Sequence, residues 1–338
     1  MQTKIREQLL YKLQILSETP SAFEALALEI FRYQAEFNPV YKRFLSLLGR
    51  QPWDIQSIDA IPTLPISFFK TFEIKTGNWE EETIFTSSGT TGQVPSRHFV
   101  RDTAFYLQNA LSGFKYFYGD PADWVILALL PNYLERTGSS LVAMTDFFIH
   151  RSLFSQSRFF LNNFSDLQQT LSNLPEKKNV LLVGVSYALL DFGEAYPMDL
   201  SGMMIMETGG MKGRRKELTR NELHQELGLL FQSSIIHSEY GMTEMLSQAY
   251  ASGGELFAPA PTLRMFTTEI NDPFSPTLPG RSGVLNIIDL ANIDTCSFIA
   301  TEDIGRVGTD GRFSVLGRMD ASEIRGCNLM APQNDYFE

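Results

Sequence analysis

The stretch Phe85-Thr86-Ser87-Ser88-Gly89-Thr90-Thr91-Gly92-Gln93-Val94-Pro95 decides how this chain is read. Five of its residues carry short hydroxyl side chains, and Gly89 and Gly92 bracket two of them. Glycine adopts positive φ and leaves room for a ligand against the backbone. Such a loop can turn successive N–H groups and hydroxyls into one concavity, a nest for phosphate oxygens. It follows Thr83-Ile84-Phe85, which has the character of a strand end. It is not a Walker A loop, because Gly92 is followed by Gln93-Val94-Pro95 and not by Lys-Ser or Lys-Thr. Its glycine spacing is not that of the dinucleotide fingerprint either. The plainer alternative is a polar turn between two strands.

Working outward, 338 residues are enough to bury a large core, as one domain or two. The net charge of −11 argues against nucleic acid as the main partner. The 26 phenylalanines serve a core and also suit an apolar acyl pocket. Met1 to Leu16 mixes charged residues with leucines and reads as an amphipathic helix, not an export segment. No stretch is apolar for long enough to span a membrane. Cys296 and Cys327 make no disulfide framework, so the cytoplasm is the expected location.

Residues 1–80 read as a helical region and a connector. Ser21 and Glu24 are spaced as a capping box. Leu26, Ile30, Tyr33 and Phe37 recur at helical spacing, and Val40 to Leu48 continue beyond Pro39. Pro62 and Pro65 impose an extended path before Phe68, Phe69 and Lys70, and Lys70 can reach an anion. Residues 81–252 read as an α/β core. Asp102 to Tyr118 is a helix, while Trp124–Leu130, Asn179–Val185 and Met203–Met206 are short apolar runs, each followed by turn or helix residues. Residues 253–338, broken by prolines and glycines, read as a small β-rich subdomain. All three parts make one continuous unit.

Three further signals carry chemistry. Gly209 and Gly210 follow a buried strand directly, and ligands in open α/β sheets bind beyond the carboxyl ends of strands. The basic run Lys212-Gly213-Arg214-Arg215 can attract phosphate or be a solvated loop. Thr219 and Glu222 then look like a second capping box. A short strand next runs into Tyr240-Gly241-Met242-Thr243-Glu244. There Tyr240 can stack on a base, Thr243 can bind phosphate oxygen, and Glu244 can hold a divalent cation. Last, Asp303 can accept two ribose hydroxyl bonds and Arg318 can reach the ribose or α-phosphate. Gly311 between them fits a hairpin turn. His98 reads mainly as structural, Cys296 as a quiet buried thiol.

In this order the motifs resemble the adenylate-forming superfamily, whose members join a carboxylate to AMP using ATP and release pyrophosphate. The resemblance covers Ile61 to Asp320. It implies the fold of the large domain of those enzymes, with ATP and Mg2+ as cofactors. It implies that Thr86, Ser87, Ser88, Gly89, Thr90, Thr91 and Gly92 hold the β- and γ-phosphates. Gly209 and Gly210 would line the adenine and carboxylate site, and Tyr240, Gly241, Thr243 and Glu244 would serve base, phosphate and magnesium. Asp303 and Arg318 would grip the nucleotide. Ser96 stands where most relatives have lysine. Only 18 residues follow Asp320, so the mobile C-terminal domain with its catalytic lysine is expected to be absent. Lys70, Lys212, Arg214 and Arg215 are candidates to replace that cation.

The length and the ending are similar to the short acyl-protein synthetase branch found in bacterial luminescence operons. That resemblance implies a fatty or other carboxylic acid as substrate. It also implies transfer of the acyl group to a cysteine near the C-terminus, here Cys327, and a protein partner such as a reductase or an acyl carrier protein. Cys327, Lys70 and Lys212 are therefore the candidate catalytic residues. Two alternatives stand beside this reading: a ligase that donates to coenzyme A or a carrier protein, and a binding protein that has kept the nucleotide site without the chemistry.

Overall fold

The computed structural model describes residues 2–16, 18–87, 94–131, 138–174, 179–211 and 214–319. Its helices are α1 (Gln2–Gln14), α2 (Phe23–Phe37), α3 (Pro39–Leu47), α4 (Phe68–Thr71), α5 (Thr103–Tyr118), α6 (Ser140–Arg151), α7 (Phe164–Ser172), α8 (Ser186–Ala195) and α9 (Arg220–Phe231). The strands begin with β1 (Leu64–Pro65), β2 (Thr83–Thr86), β3 (Arg97–Val100), β4 (Trp124–Leu129), β5 (Arg158–Phe160), β6 (Asn179–Val185), β7 (Met204–Thr208) and β8 (Ile236–Tyr240). They continue with β9 (Ala249–Ala251), β10 (Ala258–Pro259), β11 (Leu263–Glu269), β12 (Asp272–Pro276), β13 (Ser282–Asp289), β14 (Phe298–Val307) and β15 (Phe313–Arg318).

One sheet has the order β10-β9-β8-β7-β6-β4-β5. Its five strands β4 to β8 are parallel, and β9 and β10 close one side antiparallel. Central strands of a parallel sheet are covered on both faces, which is why β4 and β6 read as unbroken apolar runs and are almost wholly buried. The second sheet has the order β1-β14-β13-β11-β12, with β15 paired to β14. Helices α5 to α9 build the core of the first sheet, whereas α1 to α4 pack onto the second. The sequence thus yields an α/β fold in which strands and helices alternate through the middle of the chain.

Local signals set several boundaries. The Asp102 side chain accepts from Phe105 N–H to start α5, and Gly119, at φ +80°, stops it. Asn38 caps α3 with Pro39 as its first residue. The Thr219–Glu222 capping box forms as expected. The one expected at Ser21 and Glu24 does not: Pro20–Ala22 make a 3₁₀ turn and α2 starts at Phe23 with no side-chain cap. Proline at the head of that turn fixes a path that takes Ser21 out of the capping position.

Polar side chains join the two sheets. Asp289, at the end of β13, is fully buried. It accepts from Leu246 N–H (2.8 Å), Ser247 N–H (3.0 Å), the Ser247 hydroxyl (2.6 Å) and Ala291 N–H (3.1 Å). Asn292 donates to the carbonyl of Glu244 at 2.7 Å. Gln34 of α2 donates to the Asn292 and Ile293 carbonyls and accepts from Ser297 N–H, and Asn38 donates to Thr295 O. The β13–β14 connection is therefore gripped by the N-terminal helices on one side and grips the turn after β8 on the other. Asp289→Ala strands three amide donors in a dry site. We expect a loss of about 3 kcal/mol or more in urea unfolding; a loss below about 1 kcal/mol would show that this carboxylate does not hold the two sheets together.

Candidate active site

Strands β2 and β3 form a hairpin in which Thr86 pairs with Arg97. Below its tip, Ser87 N–H donates to Ser96 O (3.1 Å) and Ser96 N–H donates to the Ser87 hydroxyl (2.8 Å). Thr86 N–H donates to Gly138 O at 2.7 Å. Gly138 has φ +93°, and a Cβ there would lie 2.8 Å from the Ile84 carbonyl, so only glycine lets these backbones meet. Thr86 and Ser87 thus stand at the base of the loop. Ser88, Gly89, Thr90, Thr91 and Gly92 lie outside the described residues.

His98 of β3 fastens this hairpin to the rest of the site. It is fully buried. Its Nδ1 is 2.7 Å from Thr243 O and its Nε2 is 3.1 Å from the Thr295 hydroxyl. A carbonyl only accepts, so Nδ1 carries the proton and Nε2 accepts from Thr295. Phe69 packs against the ring edge-to-face. Burial drives the imidazole pKa down to about 4, which leaves it neutral and both bonds intact at neutral pH.

Around Thr243 the remaining motif residues converge. Tyr240, at the end of β8, is buried against Phe257 and Phe313, and its hydroxyl donates to Asp303 Oδ2 at 2.8 Å. Asp303 and Arg318 are cross-strand partners on β14 and β15, with Arg318 Nε 3.3 Å from Asp303 Oδ1. The Arg318 side chain is largely exposed and the Asp303 side chain largely buried. Each Asp303 oxygen holds one of these two donors, which leaves acceptor capacity for further hydroxyls. Glu244 is buried, and burial raises its pKa; Ser96 hydrogen-bonds to it, and the nearby charges of Arg318 and Lys70 pull the other way. Ser96, which departs from the lysine of most relatives, therefore faces the acidic residue.

Gly209, at φ +73°, and Gly210 form an open turn at the carboxyl end of β7. Gly241 is exposed just past the end of β8. Arg215 does not face an anion site: its charge is taken by Asp191 and Glu194 of α8. Arg214 lies over the Tyr187 ring, 4.9 Å from its centroid. Lys212 and Cys327 lie outside the described residues. Cys296 is fully buried, and burial pushes its thiol up to about 12, as a quiet core cysteine requires.

Sequence reasoning missed Asp289 and Asn292, which fix the backbone from Glu244 to Ser247. The available signal was an Asp and an Asn directly after the apolar run Val284–Ile288, where a strand end needs buried acceptors and donors. It also missed Glu239, a charged residue within a buried strand, and the anchoring role of His98.

No protein-family model and no curated protein matches this chain. Solved structures do. A 2-hydroxyisobutyryl-CoA ligase in complex with 2-HIB-AMP and CoA superposes with a TM-score of 0.67 at 15% identity, covering 90% of this chain and 69% of that one. ATP-bound MatB from Rhodopseudomonas palustris gives 0.54 at 16% identity, covering 71% and 49%. A RpMatB-BxBclM chimera with ATP bound gives 0.54, also at 16%. The chain shares the fold of these proteins. It spans about half the length of the MatB structures.

The neutral histidine makes stability depend on pH. Its folded pKa, about 4, lies below the ordinary 6.5. The unfolded chain therefore binds a proton that the folded one refuses, and stability falls as pH drops through that window. Between pH 7 and 5 the wild type should lose about 2 kcal/mol more than His98→Gln in urea unfolding. Parallel losses in both proteins would place the titration elsewhere.

Proposed function

We propose that this chain activates a carboxylic acid with ATP. The carboxylate oxygen attacks the α-phosphorus, pyrophosphate leaves, and acyl-AMP remains. What supports this reading most is the convergence of Lys70, Tyr240, Glu244, Asp303 and Arg318 on one place, to which His98 ties the hairpin bearing the hydroxyl-rich loop.

Each residue has a physical role there. Asp303 accepts the ribose hydroxyls. Tyr240, whose burial keeps its hydroxyl protonated, holds that carboxylate in place. Arg318, exposed at the rim, meets the phosphate or ribose as the nucleotide enters. Thr86 and Ser87 begin the loop that receives the β- and γ-phosphates, through Gly92. Gly209 and Gly210 leave space for the adenine and the reacting carboxylate, whereas at Gly241 a Cβ would lie 2.6 Å from Glu239 Oε1, so glycine there makes room for the Glu239 carboxylate. Lys70, whose charge acts on Glu244, is the candidate to steady charge on the reacting carboxylate and phosphate.

Glu244 is suited to Mg2+: a buried carboxylate whose charge its surroundings disfavour gains from a cation, and Mg2+ commonly takes one or two carboxylates with substrate phosphates. When bound, the ion neutralises phosphate charge.

The acyl group then passes to a thiol. In the reading the sequence favours, a thiolate at Cys327 attacks the acyl carbon, AMP leaves, and a second protein takes the acyl group; a fatty acid is the substrate this branch implies. The likeness to the fold of CoA ligases favours coenzyme A as the rival acceptor. Carboxylate-dependent exchange of labelled pyrophosphate into ATP tests the first half, and Asp303→Ala should lower it by about tenfold or more through lost nucleotide affinity. Hydroxylamine-labile acyl label on the wild type but not on Cys327→Ser supports self-acylation. Label that appears only on added coenzyme A or carrier protein assigns the acceptor there instead. Absence of exchange with fatty, aryl and amino acids alike contradicts the whole reading.

A further inference from the structure

Tyr240 and Glu239 are neighbours on β8, so their side chains point to opposite faces of the sheet. Tyr240 faces Asp303. Glu239 faces α5 and α6. The strand register sets Glu239 between Thr208 of β7 and Tyr250 of β9, which makes a polar row of three on one face. The Thr208 hydroxyl donates to Glu239 Oε2. Tyr250 is buried, and its hydroxyl has no hydrogen-bond partner among the described residues.

This row borders a cavity of about 20 Å³ whose other walls include Phe114, Met144 and Phe148. That is room for about one water molecule. Burying a hydroxyl without a partner costs free energy, and phenylalanine would fill the same space without that cost. Neighbouring tyrosines show the contrast: Tyr106 donates to Ser140 O at 2.9 Å, and the Tyr118 hydroxyl is 3.3 Å from His237 Nδ1. Burial also raises the Glu239 pKa to about 7, so near neutral pH the group can serve as donor or acceptor. The location ties the cavity to the site already described. Thr208 immediately precedes Gly209, and Glu239 immediately precedes Tyr240.

We propose that Glu239 and Tyr250 select the substrate: the acid activated here carries a hydroxyl or amino group on its acyl portion, and that group occupies the cavity between them. This narrows the acid beyond the unsubstituted fatty chain and rests on the adenylation reading. A site built to hydrogen-bond a substrate group rejects the analogue that lacks it, because its own polar atoms are then left unpaired.

The test is carboxylate-dependent pyrophosphate exchange with short-chain acids that carry a hydroxyl, an amino or a methyl group at the same carbon. For the wild type, kcat/KM for the hydroxyl or the amino series should exceed the methyl series by about 100-fold or more. The arm that wins identifies the group. Tyr250→Phe should cut the preference by about tenfold or more, with a melting temperature no lower than the wild type. Glu239→Gln should shrink it as well. Equal or better exchange with the methyl acids overturns this proposal while leaving adenylation intact, as does an unchanged preference in both variants. A lowered melting temperature for Tyr250→Phe means its hydroxyl is partnered in the free protein, and also overturns it. No exchange with any acid overturns the adenylation reading and this inference together.

Discussion

The rest of the structure depends on a buried carboxylate that must be fully coordinated by donors. Asp289 sits where water does not reach, and burial raises its pKa despite four hydrogen bonds. Its donors come from the turn after β8 and from its own loop. A buried charge tolerates no loose partner, so the turn that carries Thr243 and Glu244 has little freedom to drift. Asn292 and His98 add two more fixed points, at Glu244 O and Thr243 O. The motif residues belong to segments far apart in sequence, and this polar bracket brings them to one place.

The two faces of β8 then divide the work. On one face Tyr240, Asp303 and Arg318 form a linked polar set at the junction with the second sheet. On the other, Thr208, Glu239 and Tyr250 look into an apolar cavity under α5 and α6. One peptide step separates them. In the proposed reaction the nucleotide lies on the first face and the hydroxyl or amino group of the acid on the second, so that the two substrates meet at a single carboxylate. Proximity of this kind replaces a bimolecular encounter with a held geometry. Lys70, arriving from the N-terminal connector, adds a second positive charge beside that of Arg318 near Glu244.

Much of the fold was legible because buried parallel strands leave a strong apolar signature. The runs at β4, β6 and β7 and the helix at α5 appear where the pattern placed them. The capping box at Ser21 was misread because Pro20 governs the backbone there more strongly than the Ser–Glu spacing does. In the site, Tyr240, Glu244, Asp303 and Arg318 could be listed from motifs, but the contacts between them could not. Those contacts depend on cross-strand register and on how β14 lies beside β8, which no local pattern encodes. Arg215 shows the opposite failure. Its place beside two glycines suggested a phosphate, yet α8 offers it two carboxylates. Asp289 and His98 were underrated because a side chain that bonds to distant backbone leaves no trace in spacing.

The most direct measurement is a crystal structure of the full chain with AMP bound. The account predicts both ribose hydroxyls within hydrogen-bond distance of Asp303, with Tyr240 still on the far carboxylate oxygen and the α-phosphate directed toward the Thr86–Ser87 end of the hairpin. A nucleotide bound elsewhere, or one whose ribose is held by other residues while Asp303 stays closed by Tyr240 and Arg318, would contradict it.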